Sequence, residues 1–330
     1  MILTQCLETA SRFAPAANTP IPALQDLKNA ISSLSLPTGA DGPPDTLSEA
    51  LVLAATARSA LSLPSEAIWG ETNTSLAGIL DDLMAQLGSA LRREKADLVR
   101  GLYVIIDPRI TRGRDPLEIA KGALRGGARM LQLRAKEHDK GESLPLARAI
   151  QELCLESGAS LIVNDHADVA AVVGSAGMHV GQTDLPVAEA RKVLAHHQVV
   201  GRSNHEIEEI PESEAMGADH VAFGPIYDTS TKDVGYSAQG MERLQLARQA
   251  AKMPLVAIGG ITAENAAVVI ENGADAICVT ASVGNAPDPE AAAARLVKVI
   301  EDAGGAFSRR FSLANDGLTD RSFVDTQYGR

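Results

Sequence analysis

The chain has 330 residues, of which 45% are hydrophobic, 22% charged and 3% aromatic, and its formal net charge is −12. That acidity argues against DNA or RNA as the main partner, because nucleic-acid binders present a basic face. No apolar run approaches the roughly 18 residues a membrane helix needs, and with so few aromatics the core must be mostly Ala, Val, Leu and Ile, which suits helices packed on parallel strands.

The length allows two domains, or one large domain with an appendage. The N-terminus has neither a basic n-region nor an uninterrupted apolar stretch, so no signal peptide is expected and the cytoplasm is the simplest location. Residues 1 to 100 are rich in Ala, Leu and Ser and are broken at "SLPTGADGPPD" and "SLPSEAIWGETN". Three helix-like stretches surround the breaks: "PALQDLKNAISSL", "TLSEALVLAATARSAL" and "SLAGILDDLMAQLGSALRREKADL". Apolar residues recur in them at spacings of three and four, which predicts a small all-α domain. It carries no chemical motif.

From residue 101 the pattern changes to short apolar runs alternating with amphipathic stretches. The runs are "LYVIID" (102–107), "RMLQLR" (129–134), "SLIVN" (160–164), "GMHV" (177–180), "QVVGRS" (198–203), "HVAFG" (220–224), "PLVAIG" (254–259) and "DAICVT" (275–280). Asp115-Pro116 and Asp288-Pro289 each place a capping carboxylate before a first-turn proline. Eight strands, each followed by a helix, predict a compact (β/α)8 TIM barrel over residues 101–305. A doubly wound open sheet is the alternative, but no GxGxxG follows the first strand. Residues 306–330 are polar and aperiodic and are expected to form a mobile tail. Cys6, Cys154 and Cys278 are far apart, without zinc spacing, and read as free thiols in a reducing compartment.

In such barrels the chemistry sits at the C-terminal ends of the strands. The second strand ends with Gln132 and Arg134 on one side and Lys136 just beyond. Together they make an oxyanion clamp, although Glu137 and Asp139 also allow a solvated charge run. Asp165, with Asn164 beside it, follows the third strand and Asp184 the fourth. Two carboxylates and an amide on neighbouring loops suit Mg²⁺, which takes one or two protein carboxylates and leaves the rest to phosphate and water. Either Asp alone is more often a helix cap, and it is their pairing on adjacent strand ends that favours a metal site. The fifth strand offers Ser203 and His205, and the His by itself could simply stand near a helix start. After the sixth strand comes "FGPIYDTSTKDVG", with Thr229, Ser230, Thr231 and Lys232. That loop exceeds the usual 2–6 residues, which favours a functional loop. Gly259 and Gly260 let backbone N–H groups approach an anion after the seventh strand, and the loops after strands seven and eight are the favoured phosphate site of this fold.

Several of these segments, in the same order, resemble the thiamine phosphate synthases. "QLRAK" is similar to that family's QLRxK, and "NDHADVAAVVGSAGMHVGQTDLP" to its run of paired Asp residues. "GRSNH", "FGPIYDTSTK" and "AIGGIT" resemble three further motifs, so the likeness spans roughly residues 101 to 300. The resemblance implies that a pyrimidine diphosphate and a thiazole phosphate are joined to give thiamine phosphate and pyrophosphate. It implies contacts to the diphosphate substrate from Gln132, Arg134, Lys136, Asn164, Ser203 and Lys232, with Arg134, Lys136, Ser203 and Lys232 in the catalytic role. Asp165 and Asp184 would hold Mg²⁺. Thr229 and Thr231 would lie near the thiazole phosphate, helped by Gly260 and the backbone at Thr280 and Ala281.

Three features depart from that family. Thr280-Ala281, with Ser282 next, stands where an Ile-Ser pair is usual. The loop after Lys232 is one residue shorter, with Asp233 where Pro is frequent. Residues 1–100 have no counterpart in the minimal enzyme. A related class, the thiazole tautomerases, also carries a G-R-S-x-H segment but needs no diphosphate clamp. A non-catalytic ligand-sensing barrel would show a broken clamp, and here all the clamp residues are present. Whether the N-terminal region regulates, tethers or dimerises the barrel is open, and so is assembly into a homo-oligomer.

Overall fold

The structure, a computed structural model, describes residues 47–61, 70–96, 99–228 and 237–306. The first predicted helical stretch, the loop residues Thr229 to Lys232, Cys6 and the polar tail lie outside the described residues. The described residues fall into two compact units divided between Leu87 and Gly88. In the first, α1 (Leu47–Leu61) and the start of α2 (Gly70–Ala96) match the two helix-like stretches seen in the sequence. Arg58 pairs with Asp81 at 2.8 Å.

In the second unit eight parallel strands close on themselves: β1 (Gly101–Ile106), β2 (Met130–Leu133), β3 (Ser160–Asn164), β4 (Gly177–Val180), β5 (Val199–Asn204), β6 (His220–Phe223), β7 (Leu255–Ile258) and β8 (Ala276–Val279). Tyr103 registers with Met130 on one side and Cys278 on the other, which closes the circle through β1. The open-sheet alternative is thereby set aside. Helices α3 (Pro116–Arg125), α4 (Lys140–Ser157), α5 (Ala167–Val173), α6 (Val187–Val193), α7 (Glu209–Ala215), α8 (Gly240–Ala250), α9 (Ala266–Glu271), α10 (Ala281–Gly284) and α11 (Pro289–Asp302) connect and follow the strands. Both predicted caps form. Asp115 accepts from the Leu117 N–H at 2.9 Å, and Asp288 accepts from Glu290 and Ala291 at 3.0 Å.

The strands are apolar on both faces because both faces are covered. Their residues divide by parity. Leu102, Val104 and Ile106 join the helices in one cluster, whereas Tyr103 and Ile105 join Met130, Ile162, Val199, Ala222, Val256, Ala276 and Cys278 in a second cluster inside the barrel. Val99, just before β1, is 1% exposed and belongs to the inner cluster. The end of α2 is tied to the same unit: Arg92 bonds Asp219 at 3.2 Å and donates to the His196 carbonyl at 2.5 Å. Among the described residues no helix is long and apolar enough to cross a membrane.

Candidate active site

Inside the barrel the polar residues gather at one end. Period two carries the inner face of β2 from Met130 through Gln132 to Arg134, and that of β5 from Val199 through Gly201 to Ser203. The strand ends surround a cavity of about 560 Å³, within the range of small-molecule sites. Gln132, Arg134, Lys136, Asn164, Asp184, Ser203, Gly260, Thr280 and Ala281 line it, as do His205 and the backbone glycines Gly224 and Gly259. Thr229, Thr231 and Lys232 lie outside the described residues, although Asp228, just before them, faces the cavity.

One wall is cationic. Arg134 is held by the Asp107 carboxylate at 2.6 Å, and Arg109 reaches the same carboxylate at 3.2 Å. Burial alone would raise the pKa of Asp107, but the Arg109 and Arg134 hydrogen bonds outweigh it and keep the group below the ordinary carboxylate value. Below the cations, Gln132 donates to the buried Tyr103 hydroxyl at 2.7 Å. Burial, with Cys278 nearby, pushes the Tyr103 phenol well up, so it stays protonated.

Beside the cations, after the neighbouring strands β3 and β4, stand the two carboxylates. Asp165 adopts a left-handed backbone (φ 63°), a conformation Asp accepts more readily than most residues. Its side chain meets Lys136 at 2.8 Å and hydrogen-bonds Asp184. Burial first, and then the Asp184 carboxyl, raise the Asp165 pKa against the pull of Lys136. Asp184 also accepts from the Gly181 N–H at 2.8 Å. Two carboxylates this close share a proton when nothing else lies between them, and a divalent cation is the natural substitute for that proton. Among the described residues no cluster of three or more His, Cys, Asp or Glu could hold a metal. A two-carboxylate set therefore fits Mg²⁺, completed by phosphate oxygens and water, better than a transition metal.

The far wall is backbone. Gly260 sits at φ 64°, and a Cβ there would come within 2.5 Å of the Asp228 carbonyl oxygen, so no larger residue fits without rearrangement. Ser282, in the segment that departs from the usual Ile-Ser pair, also lines the cavity and donates its hydroxyl to the Ile261 carbonyl at 2.6 Å. Thr280 and Ala281 are left to present backbone and small side chains.

Three residues at this mouth were not singled out in the sequence. Asp107 ends an apolar strand, which was the available signal. His179 sits on the inner face of β4 with its Nε2 2.8 Å from the Ser203 Oγ. Tyr103 looked like ordinary core. His205, which sequence alone left ambiguous, does both things: it lines the cavity, its Nδ1 donates to the Gly224 carbonyl at 2.6 Å, and its backbone N–H meets Glu209 of α7.

The chain is similar to known proteins over the barrel. The family model described as thiamine monophosphate synthase matches residues 102–283. A thiamine-phosphate synthase of Moorella thermoacetica is 44% identical over 204 residues, covering 62% of this chain and 97% of that one. Another, of Thioalkalivibrio sulfidiphilus, is 42% identical over 209 residues, covering 63% and 99%. Among solved structures, a thiamine phosphate pyrophosphorylase from Pyrococcus furiosus has a TM-score of 0.59 at 32% identity, covering 63% of this chain and 99% of that one.

Proposed function

Because the chain belongs to the thiamine monophosphate synthase family, a family of transferases, we propose that its barrel joins a hydroxymethylpyrimidine diphosphate to a thiazole phosphate, releasing pyrophosphate. The observation that carries this reading is the gathering of Arg134, Lys136 and Asp184 around one cavity, with Asp165, itself not in the cavity lining, bonded to both Lys136 and Asp184. A diphosphate is the ligand class that needs both fixed cations and a metal.

The reaction calls for little proton chemistry. The bond from the pyrimidine methylene carbon to the bridging diphosphate oxygen breaks, and its electron pair leaves with the diphosphate. The electron-rich aminopyrimidine stabilises the cation left behind, and the thiazole nitrogen lone pair closes the new C–N bond. Arg134 and Lys136 neutralise the growing charge on the leaving group, while Gln132, Asn164 and Ser203 orient it. Lys232, Thr229 and Thr231 are assigned to the same ligands from their place in the motif. Asp165 and Asp184 are the residues that would hold Mg²⁺, whose charge would further neutralise the diphosphate. Gly260 and the backbone at Thr280 and Ala281 hold the thiazole phosphate, so that the two rings meet in line.

In this reading a helical domain precedes the barrel domain, which runs to 305, the segment from Gly88 belongs to the barrel's compact unit, and 306–330 is a tail. In line with this, more than a third of the chain lies outside the matches to known synthases. The substrates are small molecules, and a cytoplasmic location follows from their metabolism.

The test is a product assay for thiamine phosphate with purified protein, both substrates and Mg²⁺, run beside Lys136→Ala and Asp184→Ala. Product from the wild type that disappears with EDTA and in both variants supports the assignment. Thiazole isomerisation in place of product would move the chain to the tautomerases, and neither activity would leave a binding barrel.

A further inference from the structure

The far wall of the cavity, formed after β7 and β8, carries three hydroxyl side chains: Thr262, Thr280 and Ser282. Two of them have their protons committed within the protein. Ser282 donates to the Ile261 carbonyl at 2.6 Å. Thr262 accepts from the Glu264 N–H at 3.3 Å and donates to the Glu264 carboxylate, a bond that holds that group below its ordinary pKa. The Thr280 hydroxyl differs. It makes no capping bond to α10, which it precedes, and no other hydrogen bond among the described residues.

Strand geometry explains why that hydroxyl is left over. Ala276 and Cys278 of β8 belong to the cluster inside the barrel, and Ile277 and Val279 to the outer one, so Thr280 continues the inner row and lines the cavity. Register then names its neighbours. Tyr103 of β1 pairs with Cys278, so Ile105, two places on, comes beside Thr280 and offers no hydrogen bond. On the other side Ile258 of β7 pairs with Cys278, and two places beyond Ile258 stands Gly260, which has no side chain. Asn265 fixes the turn there: its amide donates to the Gly260 carbonyl at 3.0 Å, and its oxygen accepts from the Thr262 N–H at 2.8 Å. A half-buried hydroxyl thus sits between an isoleucine and a glycine and faces the cavity.

We propose that the Thr280 hydroxyl is a specificity-determining group: it donates to a phosphate oxygen of the thiazole substrate and so sets that substrate apart from the unphosphorylated thiazole alcohol. The inference rests on the reading that this wall holds the thiazole phosphate. A hydroxyl has one proton to donate. Thr262 and Ser282 could turn theirs to an anion only by breaking a bond already made, whereas Thr280 gives up nothing but water. Hydrogen bonds to a charged oxygen are roughly twice as strong as neutral ones, and the alcohol brings no charged oxygen to this place. The Ile-Ser pair usual in the family carries its hydroxyl one position later, so this contact belongs to the present chain, in which Ala281 has none.

The experiment is steady-state kinetics of the full chain with Mg²⁺, the pyrimidine diphosphate and either thiazole phosphate or thiazole alcohol. Wild type is compared with Thr280→Val and Thr280→Ser. Thr280→Val is expected to raise KM for thiazole phosphate about tenfold or more, the scale of a lost hydrogen bond to a charged group. Its KM for the pyrimidine diphosphate and its rate with the alcohol should match wild type, and Thr280→Ser, which keeps the hydroxyl, should stay near wild type throughout. An unchanged KM for thiazole phosphate in folded Thr280→Val overturns the inference. An equal loss with both thiazoles overturns it too, since that would mark a packing effect. Where Thr280→Val fails to fold, Thr280→Ser against Thr280→Ala, which differ by the hydroxyl alone, makes the same comparison. Calorimetry with thiazole phosphate separates this inference from the synthase reading. A wild type that turns over neither thiazole but binds thiazole phosphate more tightly than Thr280→Val removes the synthase reading and keeps the contact. Equal binding by the two proteins, or none by either, removes the contact.

Discussion

The Asp107 carboxylate, at the foot of the loop after β1, fixes the Arg134 guanidinium at the end of β2 across a distance of 2.6 Å, with only 4% of Asp107 exposed. Arg109 shares the same carboxylate. One carboxylate therefore anchors two guanidinium groups, and Arg109 is paired with Glu137 as well, at 2.6 Å. Anchoring matters because a free arginine would have to be ordered at each binding event.

Replacing Asp107 with Asn keeps the shape and removes the anchor. The expected result is a loss of about 100-fold in kcat/KM, the scale on which a misplaced catalytic group is felt. Steady-state kinetics beside a thermal melt checks it: kinetics like wild type in a folded variant would show that the ligand alone orients Arg134.

Metal dependence should divide between the carboxylates. Asp165→Asn and Asp184→Asn are each expected to raise the Mg²⁺ concentration for half-maximal activity by about tenfold or more, the size of a lost charge-assisted contact. A Mg²⁺ titration of each variant measures this. An unshifted midpoint in both would place the metal on the substrate alone.

The buried His220 gives stability a defined pH dependence. Its folded pKa is about 4, against an ordinary value of 6.5. Between these values the unfolded chain binds the proton and the folded chain does not, so stability rises with pH. The benefit of a neutral His220 is therefore full above pH 6.5 and is lost as pH falls toward 4. His220→Phe lacks this term, so its Tm relative to wild type should climb from pH 7 to pH 4.5. A Tm difference independent of pH would show that His220 is not buried in neutral form.

The end of α2 makes a prediction about where the barrel begins. Val99 fills the inner cluster, and Arg92 bonds Asp219 and the His196 carbonyl. A chain starting at Gly88 keeps these contacts, whereas one starting at Gly101 loses them. The shorter chain is expected to be less stable by at least the ~1.5–3 kcal/mol of one buried aliphatic side chain. Urea unfolding of the two tests this, and equal midpoints would show that Val99 and Arg92 contribute nothing.

Much of this protein is legible along the chain. The eight strands fall within two residues of the apolar runs, because a strand covered on both faces is a run of Val, Ile and Leu whatever surrounds it. Gln132 with Arg134, and the paired Asp165 and Asp184, were visible for a similar reason: polar residues at the ends of apolar runs have few uses in a barrel other than its mouth. The local rules for caps also sufficed at Asp115 and Asp288.

His220 carried no such signal, and His179 and Gly201 were visible only as members of the motifs that carry the resemblance. Each is a single residue within an apolar strand, where a histidine reads as a tolerated core residue and a glycine as a weak point. Their meaning depends on barrel closure and register, which set β4, β5 and β6 side by side and bring three residues of different strands to one point. Asp107 is a similar case, since its partner Arg134 comes from the next strand. Sequence by itself determined the elements of the barrel and their order, because periodicity is a local property. Tertiary structure alone decided which polar groups face one another, because hydrogen bonding depends on distances between strands that no spacing along the chain contains.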